Sequence, residues 1–202
     1  IMQRVGRLVT ENSCFFLCDV QERFRSIIYR MPTVINTSKF MVDTSRVLNI
    51  PVIATEHYQK AFGPTTPEIV ARAEGHPNYA VFQKRLFSML TPEVDEHFRS
   101  LGKNQVVLFG LEAHVCLMQT CFDLLERDIA VHLVLDGISS QRPHDRATAI
   151  ERMKTAGAHV TTAESLMFQL IRDATHPNFK ELSQLLKVHN EQPNEFGQDS
   201  TL

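Results

Sequence analysis

The sequence lacks the features that mark membrane proteins and nucleic-acid-binding proteins. Its apolar runs are only about five to seven residues long, whereas a membrane-spanning helix needs about 20. Its formal net charge is −2, and its Lys and Arg residues are scattered along the chain. No basic stripe is therefore available to bind phosphates or an anionic membrane. We expect a protein that binds a small-molecule substrate and binds neither nucleic acid nor a membrane.

Cysteine is also sparse. The four cysteines form no CxxC pair, and no pair of histidines follows them at zinc-finger spacing, which argues against a structural zinc site. We therefore expect reduced thiols in a cytoplasmic, reducing compartment. The N-terminal segment has no charged-then-apolar signal pattern. Because the chain begins with Ile rather than Met, we expect a few native residues to precede it.

Strand-like and helix-like segments alternate along most of the sequence. Apolar runs such as "SCFFLCDV", "PVIAT", "QVVLFG" and "AVHLVLD" are separated by amphipathic segments. This alternation predicts a single α/β domain with an open, mostly parallel β-sheet and helices on both faces. We assign that domain to residues 1–188 and a polar C-terminal tail, loose or reaching onto a neighbour, to residues 189–202.

Residues 56–77 are rich in proline and glycine and show little periodicity. This composition predicts a long loop, and loops of this length are often functional. We expect substrate specificity to be determined in this segment.

Three residues whose side chains could take part in catalysis lie at or just beyond the ends of predicted strands: Asp19, Lys84 and Cys116. In open parallel sheets, ligands bind beside the carboxyl ends of the strands, so these side chains can face one crevice. Cys116 is either a small core residue or a nucleophile at the start of a helix, where the helix dipole would stabilise a thiolate. A carboxylate at the end of a buried strand requires a partner, and Lys84 could supply the positive charge.

The segments "CDVQERF", "VFQKRLFSM" and "GLEAHVC" together resemble the cysteine hydrolase (isochorismatase-like) family, especially its animal isochorismatase domain-containing branch. The resemblance extends from about residue 10 to residue 172. It implies a three-layer fold and a catalytic triad of Asp19, Lys84 and Cys116. It also implies assembly into a homo-oligomer.

The same resemblance implies an unusual backbone before the cysteine. A non-proline cis peptide bond would join Leu111 to Glu112. The backbone N–H groups of Glu112 and Cys116 would then form an oxyanion hole for a reacting carbonyl group.

Two departures from family patterns limit the reactions that we expect of this chain. Nicotinamidases in the family bind a metal through an Asp and a His in a segment like "TQDWH", but here "TEHYQ" places His57 and Gln59 at those positions. We therefore expect no catalytic metal and no cofactor. True isochorismatases cleave a vinyl ether without a thiol, whereas Cys116 favours acyl transfer.

These observations favour a metal-independent hydrolase that acts on a small carbonyl compound, in particular an amide, through a thioester. Phe24, His57, Tyr58 and Phe62 are candidate pocket residues. Two alternatives remain open. The chain could be a catalytically silent binding or scaffold protein, or a thiol redox sensor that uses Cys116 together with Cys121.

Overall fold

A six-stranded parallel β-sheet organises the computed structural model, which describes residues 5–198. The strands lie in the order β3-β2-β1-β4-β5-β6. Their bounds are β1 Ser13–Cys18, β2 Val52–His57, β3 Tyr79–Lys84, β4 Gln105–Gly110, β5 Ala130–Ile138 and β6 His159–Thr161. The predicted parallel α/β architecture is confirmed.

Strand β1 lies between β2 and β4, at the point where the strand order changes direction. All six of its residues are buried. Because alternate side chains of a strand point to opposite faces, complete burial requires cover on both sides of the sheet. Phe15 makes an edge contact with Phe109, and Phe16 makes one with Phe98, with ring centroids 6.3 and 5.3 Å apart.

Eight α-helices occur within the described residues. They are α1 Met31–Val47, α2 Gln59–Phe62, α3 Pro67–Ala73, α4 Pro92–Ser100, α5 Met118–Leu125, α6 Pro143–Thr155, α7 Ala163–Ile171 and α8 Phe179–Asn190. Helix α1 packs with α3, α7 and α8, while α5 packs with α6. In the described part of the chain, none of the helices combines the length and apolar character that crossing a bilayer requires.

The segment predicted as a long loop contains two short helices, so that prediction was wrong for part of residues 56–77. Helix α3 begins at Pro67, where the fixed φ of proline suits the first helical position and its missing N–H is not needed. Its Ile69 is fully buried, and the helix packs against α1. A helix of seven residues shows too little periodicity to stand out beside proline and glycine.

The C-terminal segment folds back onto its own chain as far as the structure describes it. After α8, the backbone N–H of Glu195 donates to the Thr33 hydroxyl, and Arg30 donates to the carbonyl of Glu195. The guanidinium of Arg146 lies 3.9 Å from the ring centroid of Phe196. The predicted boundary between the domain and the tail stays a prediction. The first four residues of the predicted domain, 1–4, and the last four of the tail, 199–202, lie outside the described residues.

Strands β1 and β4 approach closely at their carboxyl ends because a glycine stands there. Gly110 pairs with Cys18 and has a φ of +117°. A Cβ atom built on Gly110 would lie 2.1 Å from the carbonyl oxygen of Cys18. Glycine is therefore required by both the backbone angle and the space.

We predict that Gly110→Ala lowers the free energy of unfolding by about 2 kcal/mol or more, because it combines an unfavourable φ with a backbone clash. Gly157→Ala is the matched control, since Gly157 has a φ of +114° but open space around the position that an alanine Cβ would take. Urea denaturation measures both variants. Equal losses of unfolding free energy in the two variants would show that the clash with the carbonyl of Cys18 does not add to the destabilisation.

A buried histidine makes folding sensitive to acid. His132 on β5 is fully buried, and its Nε2 has no hydrogen-bond partner within the described residues. Burial, with the nearby His159, lowers the pKa of His132 from 6.5 to about 4. The folded state therefore favours the neutral ring of His132. The stability that depends on this neutral ring is present in full above about pH 6.5 and is lost as the pH falls toward 4, because the unfolded chain binds the proton more readily.

We predict that wild type loses about 3 kcal/mol more stability than His132→Phe between pH 7 and pH 4. Phenylalanine keeps a planar ring of related size but does not titrate. Denaturation curves at several pH values give the comparison. Parallel losses in the two proteins would contradict the assignment to His132.

Candidate active site

Asp19 lies at the carboxyl end of the central strand, one residue beyond β1. Its backbone is left-handed, with a φ of 49°, a conformation that Asp tolerates better than most residues. The buried carboxylate accepts a 2.8 Å hydrogen bond from the Thr55 hydroxyl and pairs with Lys84 at 2.6 Å. Asp19 is therefore fixed by strands on the β2 side of the sheet.

Lys84 is the last residue of β3, two strands away from β1, and its side chain is fully buried. Its ammonium also donates to the backbone carbonyls of Leu86 and Phe87, at 3.1 and 2.9 Å. Burial by itself lowers the pKa of Lys84, but the neighbouring Cys18, Asp19 and Cys116 outweigh it and the net pKa is raised. Lys84 is thus held as a cation beside the carboxylate.

Cys116 enters the same crevice from the segment after β4. A π-helical turn, Ala113–Leu117, precedes α5 and contains Cys116. The sulfur of Cys116, a carboxylate oxygen of Asp19 and a ring nitrogen of His57 all lie within 4.8 Å of one another. The structure therefore brings together Asp19, Lys84 and Cys116, residues that are far apart in the sequence.

Two features of the backbone before this turn concern Glu112: the peptide bond that precedes it and its own N–H group. The peptide bond between Leu111 and Glu112 is cis. Within the described residues, the backbone N–H of Glu112 donates to no other backbone group. This N–H therefore remains able to bind an oxygen of a ligand.

His57, the last residue of β2, closes one side of the crevice. Its ring contacts those of Phe62 and Phe87, with centroid distances of 5.8 and 5.7 Å. Its Nδ1 is 3.3 Å from the ammonium of Lys84. Burial first, and the charge of Lys84 second, lower the pKa of His57. The ring is therefore neutral at neutral pH, and its Nδ1 is the most distant of the four groups around an ammonium that has three N–H donors.

Gln21 fixes the backbone beside His57, although the sequence analysis did not single it out. Its amide accepts from the N–H of His57 at 2.7 Å, and it donates to the carbonyls of His57 and Gly63 at 3.0 and 2.6 Å. The sequence shows Gln21 only as a polar residue two positions after Asp19, and its complete burial, which makes hydrogen-bond partners necessary, is visible only in the structure.

A cavity of about 190 Å³ opens onto these groups. Three of the four predicted pocket residues line it: Phe24, His57 and Phe62. The rings of Phe24 and Phe62 stack with their centroids 4.9 Å apart. The remaining lining residues are Asp19, Ile27, Phe87, Leu111, Glu112, Val115, Cys116 and Gln141. The cavity therefore has mainly apolar walls with a few polar groups, as small-molecule sites do.

Tyr58, the fourth predicted pocket residue, does not line this cavity. Its backbone is left-handed, with a φ of 36°, and it ends β2 by turning the chain into α2. Its side chain is exposed and stacks with Arg85, whose guanidinium lies 4.3 Å from the ring centroid. The turn after His57 directs the ring of His57 into the cavity and the ring of Tyr58 toward solvent. The sequence pattern does not reveal this turn.

Asp19, His57 and Cys116 could in principle each give one ligand atom to a metal ion. However, the ammonium of Lys84 already contacts both Asp19 and His57. A divalent cation held by these atoms would be repelled by that ammonium. The donor set therefore suits a metal poorly, and the absence of a catalytic metal stays a prediction.

The other thiols differ from Cys116 in their surroundings, and all four cysteines have free thiols. Cys18 donates to the carboxylate of Asp19 at 3.5 Å, and burial raises its pKa well above the usual value. Burial also raises the pKa of Cys121 to about 12. Neither residue forms the thiolate easily at neutral pH, which weakens the proposal of a redox pair between Cys116 and Cys121.

The sequence matches the model of the isochorismatase domain over residues 13–165. The secreted isochorismatase effector Isc1 of Phytophthora sojae is 43% identical over 196 residues, covering 96% of this chain and 93% of that protein. Isochorismatase domain-containing protein 2 of Danio rerio is 42% identical over 186 residues, 92% of each protein. The predicted resemblance to the animal branch is confirmed.

A solved structure agrees over almost the whole chain. The structure of the MAR1 ribonuclease from Caenorhabditis elegans has a TM-score of 0.88 and is 38% identical. The match covers 97% of this chain and 100% of that one. The fold thus occurs in proteins whose names indicate different activities.

We predict that Lys84→Met slows alkylation of Cys116 by iodoacetamide at least about tenfold at neutral pH. The change removes a cation and leaves the carboxylate of Asp19 uncompensated, which disfavours a thiolate beside it. Lys84→Arg keeps the charge and should retain most of the rate. Mass spectrometry identifies the labelled cysteine.

Lys187→Met on α8 serves as the control for losing a lysine elsewhere. Because breaking a buried ion pair costs about 3 to 5 kcal/mol, circular dichroism must first show that Lys84→Met is folded. An unchanged labelling rate in the folded variant would mean that the ion pair does not influence Cys116.

Proposed function

This chain belongs to the isochorismatase domain family of hydrolases, and we propose that it hydrolyses a small carbonyl compound, most simply an amide, with Cys116 as the nucleophile. The observation that carries this proposal is the buried pair of Asp19 and Lys84 beside Cys116, at the base of an apolar cavity. A nucleophile, an adjacent base and a group that orients the base are the parts that covalent catalysis requires.

The first half of the reaction forms a thioester. Asp19 accepts the proton of the Cys116 thiol, and the sulfur attacks the carbonyl carbon of the substrate. The carbonyl oxygen becomes an oxyanion that the backbone N–H groups of Glu112 and Cys116 stabilise. When the C–N bond breaks, Asp19 returns its proton to the leaving amine.

The second half regenerates the enzyme. Asp19 now takes a proton from water, and the resulting hydroxide attacks the thioester carbonyl. The C–S bond breaks, the sulfur recovers the proton, and a carboxylic acid leaves. Lys84 orients Asp19 through both halves and favours its ionised form before each proton transfer to it, and Lys84 does not itself need to contact the substrate.

Ribonuclease activity requires a separate test, because the relative of known structure from Caenorhabditis elegans bears that name. RNA is a polyanion, and its binding depends on cationic side chains. No Lys or Arg side chain lines the cavity in the described part of the chain. The charges around Cys116 therefore favour a small carbonyl substrate over a phosphodiester.

The cellular setting remains a proposal. Four free thiols suit a reducing, intracellular compartment, although the relative from Phytophthora sojae is by name a secreted protein. Assembly into a homo-oligomer also stays a prediction. The molar mass in solution, compared with 23.0 kDa for one chain, decides it.

We predict that an activated acyl compound such as p-nitrophenyl acetate acylates Cys116 and is turned over. Asp19→Asn should lower the turnover by a factor of about 100 or more, because general acid-base catalysis contributes about 10² to 10⁴. Intact-protein mass spectrometry detects the acyl adduct, and absorbance follows product release. A panel of short primary amides then identifies the preferred acyl group.

Matched variants separate this chemistry from background reactivity. Cys121→Ser and Asp136→Asn change another buried thiol and another buried carboxylate, and both should remain active. Turnover that persists in Cys116→Ser would refute the proposed nucleophile. Saturable ligand binding without any chemical change would favour the binding protein, and cleavage of a labelled RNA that is lost in Cys116→Ser would favour the ribonuclease.

A further inference from the structure

One acidic side chain at the cavity has no part in the proposed reaction. The carboxylate of Glu112 is half-buried and lies among the lining residues of the cavity. It accepts hydrogen bonds from the backbone N–H of Gln141 at 2.9 Å and from its side-chain amide at 3.4 Å. Gln141 lines the cavity as well, so the two side chains form one polar edge of the pocket.

The charge of Glu112 is not neutralised by the protein groups around it. Both of its hydrogen-bond donors belong to the uncharged Gln141, and it forms no ion pair within residues 5–198. By contrast, Asp19 is neutralised by Lys84 at 2.6 Å. His57 is neutral at neutral pH because burial and Lys84 lower its pKa. The cavity consequently carries a net negative charge that comes from Glu112.

We infer that Glu112 is a specificity-determining residue, and that the cavity selects small apolar ligands whose polar end is an N–H donor or a cation. A primary amide, an amine or an amidine has this chemistry. A carboxylate makes about four acceptor sites available, and Gln141 occupies only two of them. An anionic ligand would instead be repelled, with no cation lining the described cavity to compensate.

This inference rests on the proposed site, since it assigns the substrate class of the same cavity. The apolar walls bind the body of the ligand, with Phe24 and Phe62 stacked on one side. Glu112 then orients the polar end, while its own backbone N–H faces the reacting oxygen. One residue would in this way serve substrate choice through its side chain and oxyanion binding through its backbone.

Charged thiol reagents test the inference without any need for turnover. A cationic methanethiosulfonate, carrying a trimethylammonium-ethyl group, is compared with an anionic one, carrying a sulfonato-ethyl group. In each case the thiolate attacks the sulfenyl sulfur, a disulfide forms and methanesulfinate leaves. The measured quantity is the ratio of the two rates of labelling at Cys116, identified by mass spectrometry.

Two variants change the charge of the cavity in opposite directions. Glu112→Gln removes the negative charge with little change in shape, and it should lower the ratio of cationic to anionic labelling about tenfold. Gln141→Glu adds a negative charge and should raise the ratio. Glu181→Gln on α8, a helix that contributes no residue to the cavity, should leave the ratio unchanged.

The outcomes separate this inference from the hydrolase proposal. Ratios that follow the charge in both variants support the inference even if no substrate is turned over. Ratios that stay within about twofold of wild type in both folded variants overturn it, even if p-nitrophenyl acetate is hydrolysed through Cys116. Failure of all reagents to reach Cys116 in the folded protein would also overturn it, because the cavity would then admit no ligand of this size.

Discussion

The buried ion pair between Asp19 and Lys84 is the interaction on which the rest of the site depends. Both side chains are almost completely removed from water, and their charged atoms are 2.6 Å apart. Burying either charge alone would cost several kcal/mol. The pair persists because further donors and acceptors satisfy it: the Thr55 hydroxyl binds the carboxylate, and two backbone carbonyls bind the ammonium.

The topology of the sheet places the two residues of this pair next to each other. Asp19 follows β1 and Lys84 ends β3, and the parallel order brings their carboxyl ends to one edge. Cys116 reaches the same edge because β4 lies on the other side of β1. Gly110 permits the close approach of these two strands at that level. The fold thus determines the distance between Cys116 and Asp19, while local sequence determines only where each strand ends.

Sequence reasoning was most successful where a residue conflicts with its surroundings. An acidic residue after a run of buried apolar residues, and a cysteine at a strand-to-helix transition, are such conflicts, and both lie at the cavity. The walls were harder to predict, because aromatic residues are equally suited to core positions. Phe87 and Gln141 line the cavity through tertiary contacts with other segments, and no periodicity signals them. Tyr58 lies outside because a single left-handed residue redirects the chain.

The ion pair also limits which ligands the cavity can accept. A free lysine at the base of a pocket would attract carboxylates and phosphates, but the ammonium of Lys84 is fully engaged with Asp19, His57 and two carbonyl groups. Burial, together with this ammonium, lowers the pKa of His57 and so removes a second cation at neutral pH. The negative charge of Glu112 is therefore the charge that an incoming ligand meets. The thiol activation and the rejection of anions that we propose would thus be two consequences of one arrangement of charges.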